Sequence, residues 1–205
     1  MYVPQHFSVD DLAHLHEVIR LNSFGIVMSV VDGQPMATHL PFMIDSTRGP
    51  NGTLLAHMAR QNPHWRGFDG KSEVLVIFSG PHGYISPRWY GAKGPAVPTW
   101  NYVAVHAYGV PMMHDEPAES RRHLGQLAAV NEAGRPNPWQ IDGEPTDFID
   151  KMVLGVVAFE IPIARIEGKA KLSQNRPGEE RLRVIAALRA EGETSLADAM
   201  ERVKT

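Results

Sequence analysis

Several short segments of the chain either alternate apolar with polar residues or run without a polar interruption, and both patterns are typical of β-strands. Two such runs, 24–31 and 34–44, are joined by Asp32 and Gly33. That dipeptide favours the two-residue turn of a β-hairpin. The other predicted strands cover 53–59, 73–78, 98–112 and 156–173. The pattern therefore predicts six strands, joined mostly by hairpins.

Helical spacing of apolar residues marks the remaining segments. Ser8 and Asp11 precede apolar residues at this spacing, which predicts a capped helix near the start of the chain. Asn62 before Pro63 predicts a short helix, because asparagine caps helices well and proline suits the first helical position. The other predicted helices cover 116–134, 145–155 and two segments within 177–205.

This order of elements predicts an antiparallel α+β fold with peripheral helices and a C-terminal helical tail over 177–205. A closed β-barrel would remove the exposed edges of the sheet. No internal repeat, low-complexity tract or clear linker interrupts the chain, so the sequence predicts one domain over 1–205.

Composition narrows the class of protein. The hydrophobic content of 43% can fill a core, and the formal net charge of -3 gives no positive field that would attract nucleic acid. The absence of cysteine excludes disulfides, thiolate catalysis and cysteine-bound metals, and it fits a reducing cytoplasm. The N-terminus has no basic segment followed by an apolar one, and no run reaches membrane-spanning length. We therefore expect a cytoplasmic protein without a membrane segment.

Residues 79–109 concentrate glycine, proline, histidine, tyrosine and tryptophan between two strand-like sequences. Glycine lets the backbone approach a flat ring closely, and proline holds a loop open. The strand at the end of this segment places Tyr102, Ala104 and His106 on one face and the intervening residues on the other. The segment suits contact with a flat aromatic ligand.

Basic and amide side chains add groups that suit an anion. Arg60 precedes a predicted helix start, where backbone N–H groups favour a phosphate. The last predicted strand ends in a compact set of donors: Lys169, Lys171, Ser173, Gln174, Asn175 and Arg176. The ten histidines lack carboxylates at ligand spacing, so no metal site is predicted. Each group alone is typical of solvated surface, and only their co-occurrence indicates a ligand.

Six motifs in fixed order carry a resemblance to a known family. They are THLPF (38–42), HMARQNPHW (57–65), FSGPHGYISPRWY (78–90), VPTWNYVAVHAYG (97–109), VAFEI (157–161) and KLSQNR (171–176). Together they resemble the FMN-binding negative transcriptional regulators, the PaiB-like family, over essentially the full chain. The resemblance implies a split β-barrel of the flavin-binding kind, usually a homodimer with FMN near the subunit interface.

The same resemblance implies where FMN binds. Arg60, with the helix start at Asn62, is predicted to bind the phosphate of FMN. Lys171 and Arg176 are predicted to contribute further positive charges to the same phosphate. Polar residues at 173–175 are predicted to bind the ring edge or the ribityl hydroxyls. The full predicted set is Thr38, His39, Leu40, His57, Met58, Ala59, Arg60, Asn62, Trp100, Asn101, Tyr102, Lys171, Ser173, Gln174, Asn175 and Arg176. No catalytic residue is predicted.

The sequence leaves three functions open. The first is FMN binding, with FMN-dependent oxidoreductase chemistry if the protein is an enzyme. The second is negative transcriptional regulation through DNA or a protein partner. The acidic composition of the chain gives direct DNA contact only weak support. The last predicted helix also has few cations and no obvious side chains for reading bases. The third is haem binding or haem degradation, since related split barrels also handle haem.

Overall fold

The structure is a computed structural model that describes residues 1–91, 95–114 and 116–203. The ring-rich segment is thus described except for residues 92–94, which lie outside the described part. The strands are β1 (Ser8–Val9), β2 (Phe24–Val31), β3 (Gln34–Asp45), β4 (Thr53–Ala59), β5 (Val74–Ile85), β6 (Thr99–Gly109), β7 (Met112–His114), β8 (Val156–Pro162) and β9 (Arg165–Lys171). The α-helices are α1 (Leu12–Leu21), α2 (Pro117–Glu132), α3 (Thr146–Val153), α4 (Gly178–Ala190) and α5 (Thr194–Arg202).

The nine strands form an antiparallel sheet in the order β1-β9-β6-β5-β2-β3-β4-β8-β7. Together with the five helices this confirms the predicted antiparallel α+β class. Within the described residues the order has two ends, β1 and β7, so the closed barrel stays a prediction.

Contacts divide the described residues into two compact units. The first comprises Met1–Asn22, Phe78–His106 and Glu167–Thr205, and the second comprises Ser23–Ile77 and Ala107–Ile166. The single domain over 1–205 stays a prediction. The two predicted helices of the tail are confirmed as α4 and α5.

Each unit buries its own apolar residues. In the first unit α1 buries Leu15 and Ile19, and α4 buries Val184 and Leu188. In the second unit the pairing of β4 with β8 buries apolar residues of both strands. They are Leu54, Ala56, Met58, Val157, Phe159 and Ile161. In β4 the buried positions alternate with partly exposed ones from Leu54 to Met58, whereas β8 is buried on both faces from Val157 to Ile161.

Two local signals in the sequence are confirmed. Asp32 and Gly33 both have positive φ, 50° and 75°, as the turn between β2 and β3 requires. Asn62 caps a 3-10 helix at Pro63–Gly67 by accepting a hydrogen bond from the backbone N–H of His64 at 3.0 Å. Both signals depend on neighbouring residues only, which is why the sequence was sufficient.

Other boundaries were wrong. The predicted strand over 156–173 is two strands, and the one over 98–112 ends as β6 at Gly109 and resumes as β7. The fourth strand does not end at residue 78 but continues as β5 to Ile85. Asp11 alone caps α1, because Ser8 lies in β1. Among the described residues, no helix is long and apolar enough to cross a membrane.

Candidate functional site

The residues predicted to bind FMN are divided between the two compact units. Thr38, His39, Leu40, His57, Met58, Ala59, Arg60 and Asn62 lie in the second unit. Trp100, Asn101, Tyr102, Lys171, Ser173, Gln174, Asn175 and Arg176 lie in the first.

A buried imidazole organises the polar residues near Thr38 in the second unit. His64 is fully buried, and its ring nitrogens contact Ser29 Oγ at 2.7 Å and Thr38 Oγ1 at 2.8 Å. Asn62 Nδ2 also donates to Thr38 Oγ1 at 3.3 Å. Burial lowers the pKa of His64, so the ring stays neutral and bridges two hydroxyls. Thr38 and Asn62 therefore hold the 3-10 helix against β2 and β3.

Arg60 is engaged with backbone carbonyls. Its Nε donates to Leu154 O at 2.9 Å and its Nη2 donates to Val156 O at 3.0 Å. The backbone N–H of Arg60 also donates to Gly155 O at 2.8 Å. These contacts fasten the end of β4 to the start of β8. Arg60 remains a predicted phosphate contact, but its guanidinium already has a structural task here.

Two histidines meet between β4 and α2. His57 Nδ1 lies 3.1 Å from His123 Nε2, and His123 is 5% exposed. Burial lowers the pKa of His57 and, with the nearby charges of His57, Arg122 and His114, lowers the pKa of His123 to about 4. One ring donates and the other accepts, so the hydrogen bond is lost when both rings are protonated. The pair therefore contributes to docking α2 on the sheet.

We expect His123 to make the protein less stable in acid. Its folded-state pKa lies below the unfolded value near 6.5, so the unfolded chain takes up a proton that the folded chain excludes. Stability is therefore complete above the unfolded pKa and falls as the pH drops toward 4. A loss of about 2 kcal/mol is expected at pH 5. Urea unfolding measured from pH 8 to pH 5 gives this loss directly.

The matched variant is His123→Gln, which can still hydrogen-bond to His57 but cannot titrate. It should reduce the acid slope, to which His57 and His64 also contribute, whereas His14→Gln, at a half-buried position of α1 away from this pair, should leave the slope as it is. An unchanged slope in His123→Gln would show that other groups cause the acid loss.

Exposed aromatic rings beside lysines form the most distinctive surface of the first unit. Tyr84 and Trp100 are 46% and 56% exposed and meet edge to face, with ring centroids 6.2 Å apart. Lys171 donates from Nζ to Thr99 Oγ1 and to Trp100 O, the latter at 2.6 Å. We call Tyr84, Trp100, Tyr102, Lys169 and Lys171 the aromatic-lysine surface.

Lys169 lies beneath this surface and is only 7% exposed. Its Nζ lies 5.3 Å from the centroid of the Tyr102 ring and donates to Tyr2 O at 3.0 Å. The pKa of Lys171 is lowered first by burial and then by the charge of Lys169. Two ammonium groups that repel one another would be stabilised by an anion between or beside them. The surface therefore combines flat rings with positive charge in a chain of net charge -3.

Three other residues of the first unit that were predicted to bind FMN form hydrogen bonds within the protein. Asn101 is buried and its Nδ2 donates to Ser173 Oγ at 2.9 Å. Gln174 accepts from Leu172 N at 2.7 Å and donates to Ala170 O. Ser173 has a positive φ of 63°, so this side-chain network fixes an uncommon backbone turn. These residues position the chain just after β9.

The last two predicted ligands are more accessible. Asn175 is exposed, and Arg176 is half-buried. The Arg176 guanidinium lies 4.3 Å above the Tyr90 ring, and its Nη1 is 3.6 Å from Glu180 Oε2. In the second unit His39 and Ala59 are exposed, whereas Leu40 and Met58 belong to the core.

Sequence reasoning missed the partners that long-range contacts supply. His123 lies in a helix with no neighbouring motif, and its contact with His57 spans 66 residues. Tyr84 stands in the ring-rich segment, but its exposure on β5 depended on that strand continuing to Ile85. Strand alternation beyond residue 78 would have been the signal for Tyr84. No signal in the sequence marks His123.

Similarity to known proteins bears on this arrangement. The chain matches a family described as "Putative FMN-binding domain" over residues 1–165. This chain belongs to that FMN-binding domain family. It is also 38% identical, over 193 residues, to the protease synthase and sporulation protein PAI 2 of Bacillus subtilis; these cover 93% of this chain and 90% of that protein. An uncharacterized protein of Emericella nidulans is 29% identical over 224 residues, covering 91% of this chain and 89% of that protein.

Family membership confirms the resemblance found in the motifs and the predicted cofactor, FMN. Two solved structures have a similar fold at low sequence identity. The FAD and haem binding protein of Mycobacterium smegmatis has a TM-score of 0.63 at 16% identity, covering 85% of this chain and 78% of that chain. The flavocytochrome Anf3 of Azotobacter vinelandii has a TM-score of 0.62 at 14% identity, covering 86% and 73%. At these identities the similarity shows the fold alone.

Proposed function

We propose that the aromatic-lysine surface of the first unit binds FMN. The observation that carries this proposal is the exposed Tyr84 and Trp100 ring pair beside the ammonium of Lys171. FMN combines a flat aromatic ring system with a phosphate dianion. Exposed rings suit the first, and the ammonium of Lys171, which is repelled by that of the buried Lys169, suits the second. The donor set of this surface therefore fits the cofactor of the family.

The other residues predicted to bind FMN remain part of the proposal, and they fall into an accessible group and an internally bonded group. His39, Asn175 and Arg176 have side chains at least partly open to solvent and could reach a ligand. Thr38, His57, Arg60, Asn62, Asn101, Ser173 and Gln174 act first in internal hydrogen bonds. Their contribution to FMN binding would be to position the segments from which the accessible groups project.

The proposed role of the bound flavin is regulatory. FMN, when bound, supplies redox chemistry, and this chain would supply binding and orientation. The name of the Bacillus subtilis relative, protease synthase and sporulation protein, supports a role in controlling these processes. The net charge of -3 favours action through a protein partner over direct DNA contact. A promoter fragment shifted by the protein in a salt-dependent way would contradict that choice.

We propose a homodimer in the cytoplasm as the working form. The motivation is the family resemblance, together with apolar side chains that stay exposed in the described chain. Phe24 and Val30 of the second unit are each about two-thirds exposed. Large exposed apolar groups commonly mark an interface. Light scattering at micromolar concentration should give the mass of two chains, and the mass of one chain would exclude the dimer.

Trp100→Ala should weaken FMN binding about fivefold. Stacking on an exposed aromatic ring contributes about 1 kcal/mol, and truncation of Trp100 also removes the edge contact with Tyr84. Fluorescence titration of FMN measures the change. Trp139→Ala is the matched control, since Trp139 is an exposed tryptophan of the second unit. Equal weakening in both variants would remove Trp100 from the proposed surface.

A further inference from the structure

A cavity in the first unit lies apart from the aromatic-lysine surface. It has a volume of about 620 Å³ and runs between α1 and α5 over strands of the sheet. We call it the α1–α5 groove. None of the five residues of the aromatic-lysine surface lines it. Ligand sites for drug-sized molecules span about 300–1,000 Å³, so the groove is large enough for one small organic ligand.

The floor of the groove is apolar. Val103, Ala170 and Leu172 form it and are 8%, 3% and 1% exposed. Val18 of α1 and Ala199 of α5 line the two sides. An apolar body would be removed from water on this floor, which favours binding.

The rim of the groove is acidic. Its lining includes the carboxylates of Asp10, Asp11, Glu17 and Asp198 and, among the described residues, one guanidinium, Arg202. This imbalance of four carboxylates to one guanidinium opposes an anionic ligand. A cation would be attracted to the rim, and the attraction would be strongest where no internal cation already faces the carboxylate.

The internal contacts distinguish the two sides of the rim. On the α5 side, Asp198 accepts a hydrogen bond from Arg189 Nη2 at 2.8 Å, so a guanidinium already balances its charge. On the α1 side, Asp10 accepts only from the neutral hydroxyl of Ser8, at 2.7 Å, among its hydrogen bonds in the described residues. Glu17 is 55% exposed and lies 3.5 Å from His14 Nδ1. The negative charge is therefore concentrated on the α1 side.

We propose that the α1–α5 groove binds a small amphipathic cation, with its apolar body on the aliphatic floor and its cationic group beside Glu17 and Asp10. Such a molecule would be an effector that binds separately from FMN. The proposal does not depend on the FMN site, because it uses a different set of residues within the first unit.

Rhodamine 123 and fluorescein give a direct test, because both carry a phenyl group on the same three-ring frame but differ in charge. Titration of the full-length protein, followed by fluorescence anisotropy, should show binding of the cation rhodamine 123. Fluorescein, an anion, should bind at least about tenfold more weakly, and saturating FMN should not displace rhodamine 123. Equal binding of the two dyes would overturn the proposal.

Two variants locate the dye. Ala199→Leu adds a larger side chain to the wall of the groove and should weaken rhodamine 123 binding at least about tenfold. Ala186→Leu, at an exposed position of α4, is its control. Glu17→Gln should weaken binding about two- to fivefold, as loss of an exposed ion pair does, and Glu191→Gln should not. Thermal melting confirms that each variant is folded.

Each remaining outcome counts against the groove. Rhodamine 123 binding that Ala199→Leu leaves unchanged would place the dye elsewhere. Displacement of the dye by FMN would place it at the flavin site, which would overturn this proposal and leave the FMN proposal standing. Failure of rhodamine 123 to bind would mean that the groove does not hold a cation of this class.

Discussion

Arg48→Met should lower the free energy of unfolding by about 2–3 kcal/mol, less than the loss for a fully buried pair because the Arg48 side chain is 45% exposed. Arg48 donates from Nη1 to Glu160 Oε2 at 2.9 Å and from Nη2 to Oε1 at 2.7 Å. Glu160 is 6% exposed on β8, and among the described residues its other side-chain partner is His114, whose Nε2 lies 3.2 Å away. Without the guanidinium, a nearly buried carboxylate would keep only that imidazole. Urea unfolding at pH 8 measures the loss.

The control for this prediction is the double variant Arg48→Met with Glu160→Met. Removal of both charges leaves no unpaired carboxylate, so most of the lost stability should return. Arg48 lowers the pKa of Glu160 more than any other group does. This contribution is therefore present above the unfolded pKa of the carboxyl and is lost as the pH falls through the folded pKa. A loss below about 1 kcal/mol in Arg48→Met would contradict the account.

Lys171→Met should weaken FMN binding about 10- to 100-fold, because a hydrogen bond to a charged group contributes about 1.5–3 kcal/mol. The Lys171 ammonium donates to the backbone carbonyl of Trp100 and is repelled by the ammonium of Lys169. A bound phosphate would accept a hydrogen bond from Lys171 and would offset this repulsion. Fluorescence titration of FMN measures the affinity. Lys171→Arg should recover part of it, because the charge is kept while the geometry changes.

The controls for Lys171 separate binding from folding. Lys71→Met, at an exposed position of the second unit, should leave the FMN affinity unchanged. Lys171 also donates to Thr99, so the melting temperature of Lys171→Met must be measured alongside the affinity. If Lys171→Met binds FMN normally and Arg60→Met does not, the phosphate contact is the one predicted from the sequence and the aromatic-lysine surface is excluded.

The elements that the sequence predicted well are those specified by adjacent residues. The turn at Asp32 and Gly33 and the cap at Asn62 follow from local backbone preferences. Strand alternation also separated the two faces of β6 correctly, since Asn101 and Val103 are buried while Tyr102 between them is not. These features require no knowledge of the distant chain.

The break between β8 and β9 could not be predicted in the same way. Pro162 has no N–H for the ladder, and Ile163 N donates instead to Gly52 O at 3.0 Å. Ala164 N donates to Tyr108 O at 2.9 Å. Both acceptors belong to other parts of the chain, so apolar alternation alone continued the strand across the break.

The sequence was sufficient to predict which segments contain the candidate site, but not which contacts their side chains make. The motifs placed Arg60 correctly before the 3-10 helix, but its contacts with Leu154 and Val156 cross more than 90 residues of sequence. Asn101 was assigned to the ligand, yet its partner Ser173 comes from after β9. A motif indicates that a residue is important, but only the tertiary contacts distinguish a residue that binds the cofactor from one that stabilises the fold around it.

Retention of FMN by the purified chain tests the central claim most directly. The protein is incubated with excess FMN, desalted, and examined by its visible spectrum together with its mass in solution. We expect the flavin bands to remain with the protein, close to one FMN for each chain of a dimer. A colourless protein, or one that retains a haem Soret band and no flavin, would contradict the proposal that this chain binds FMN.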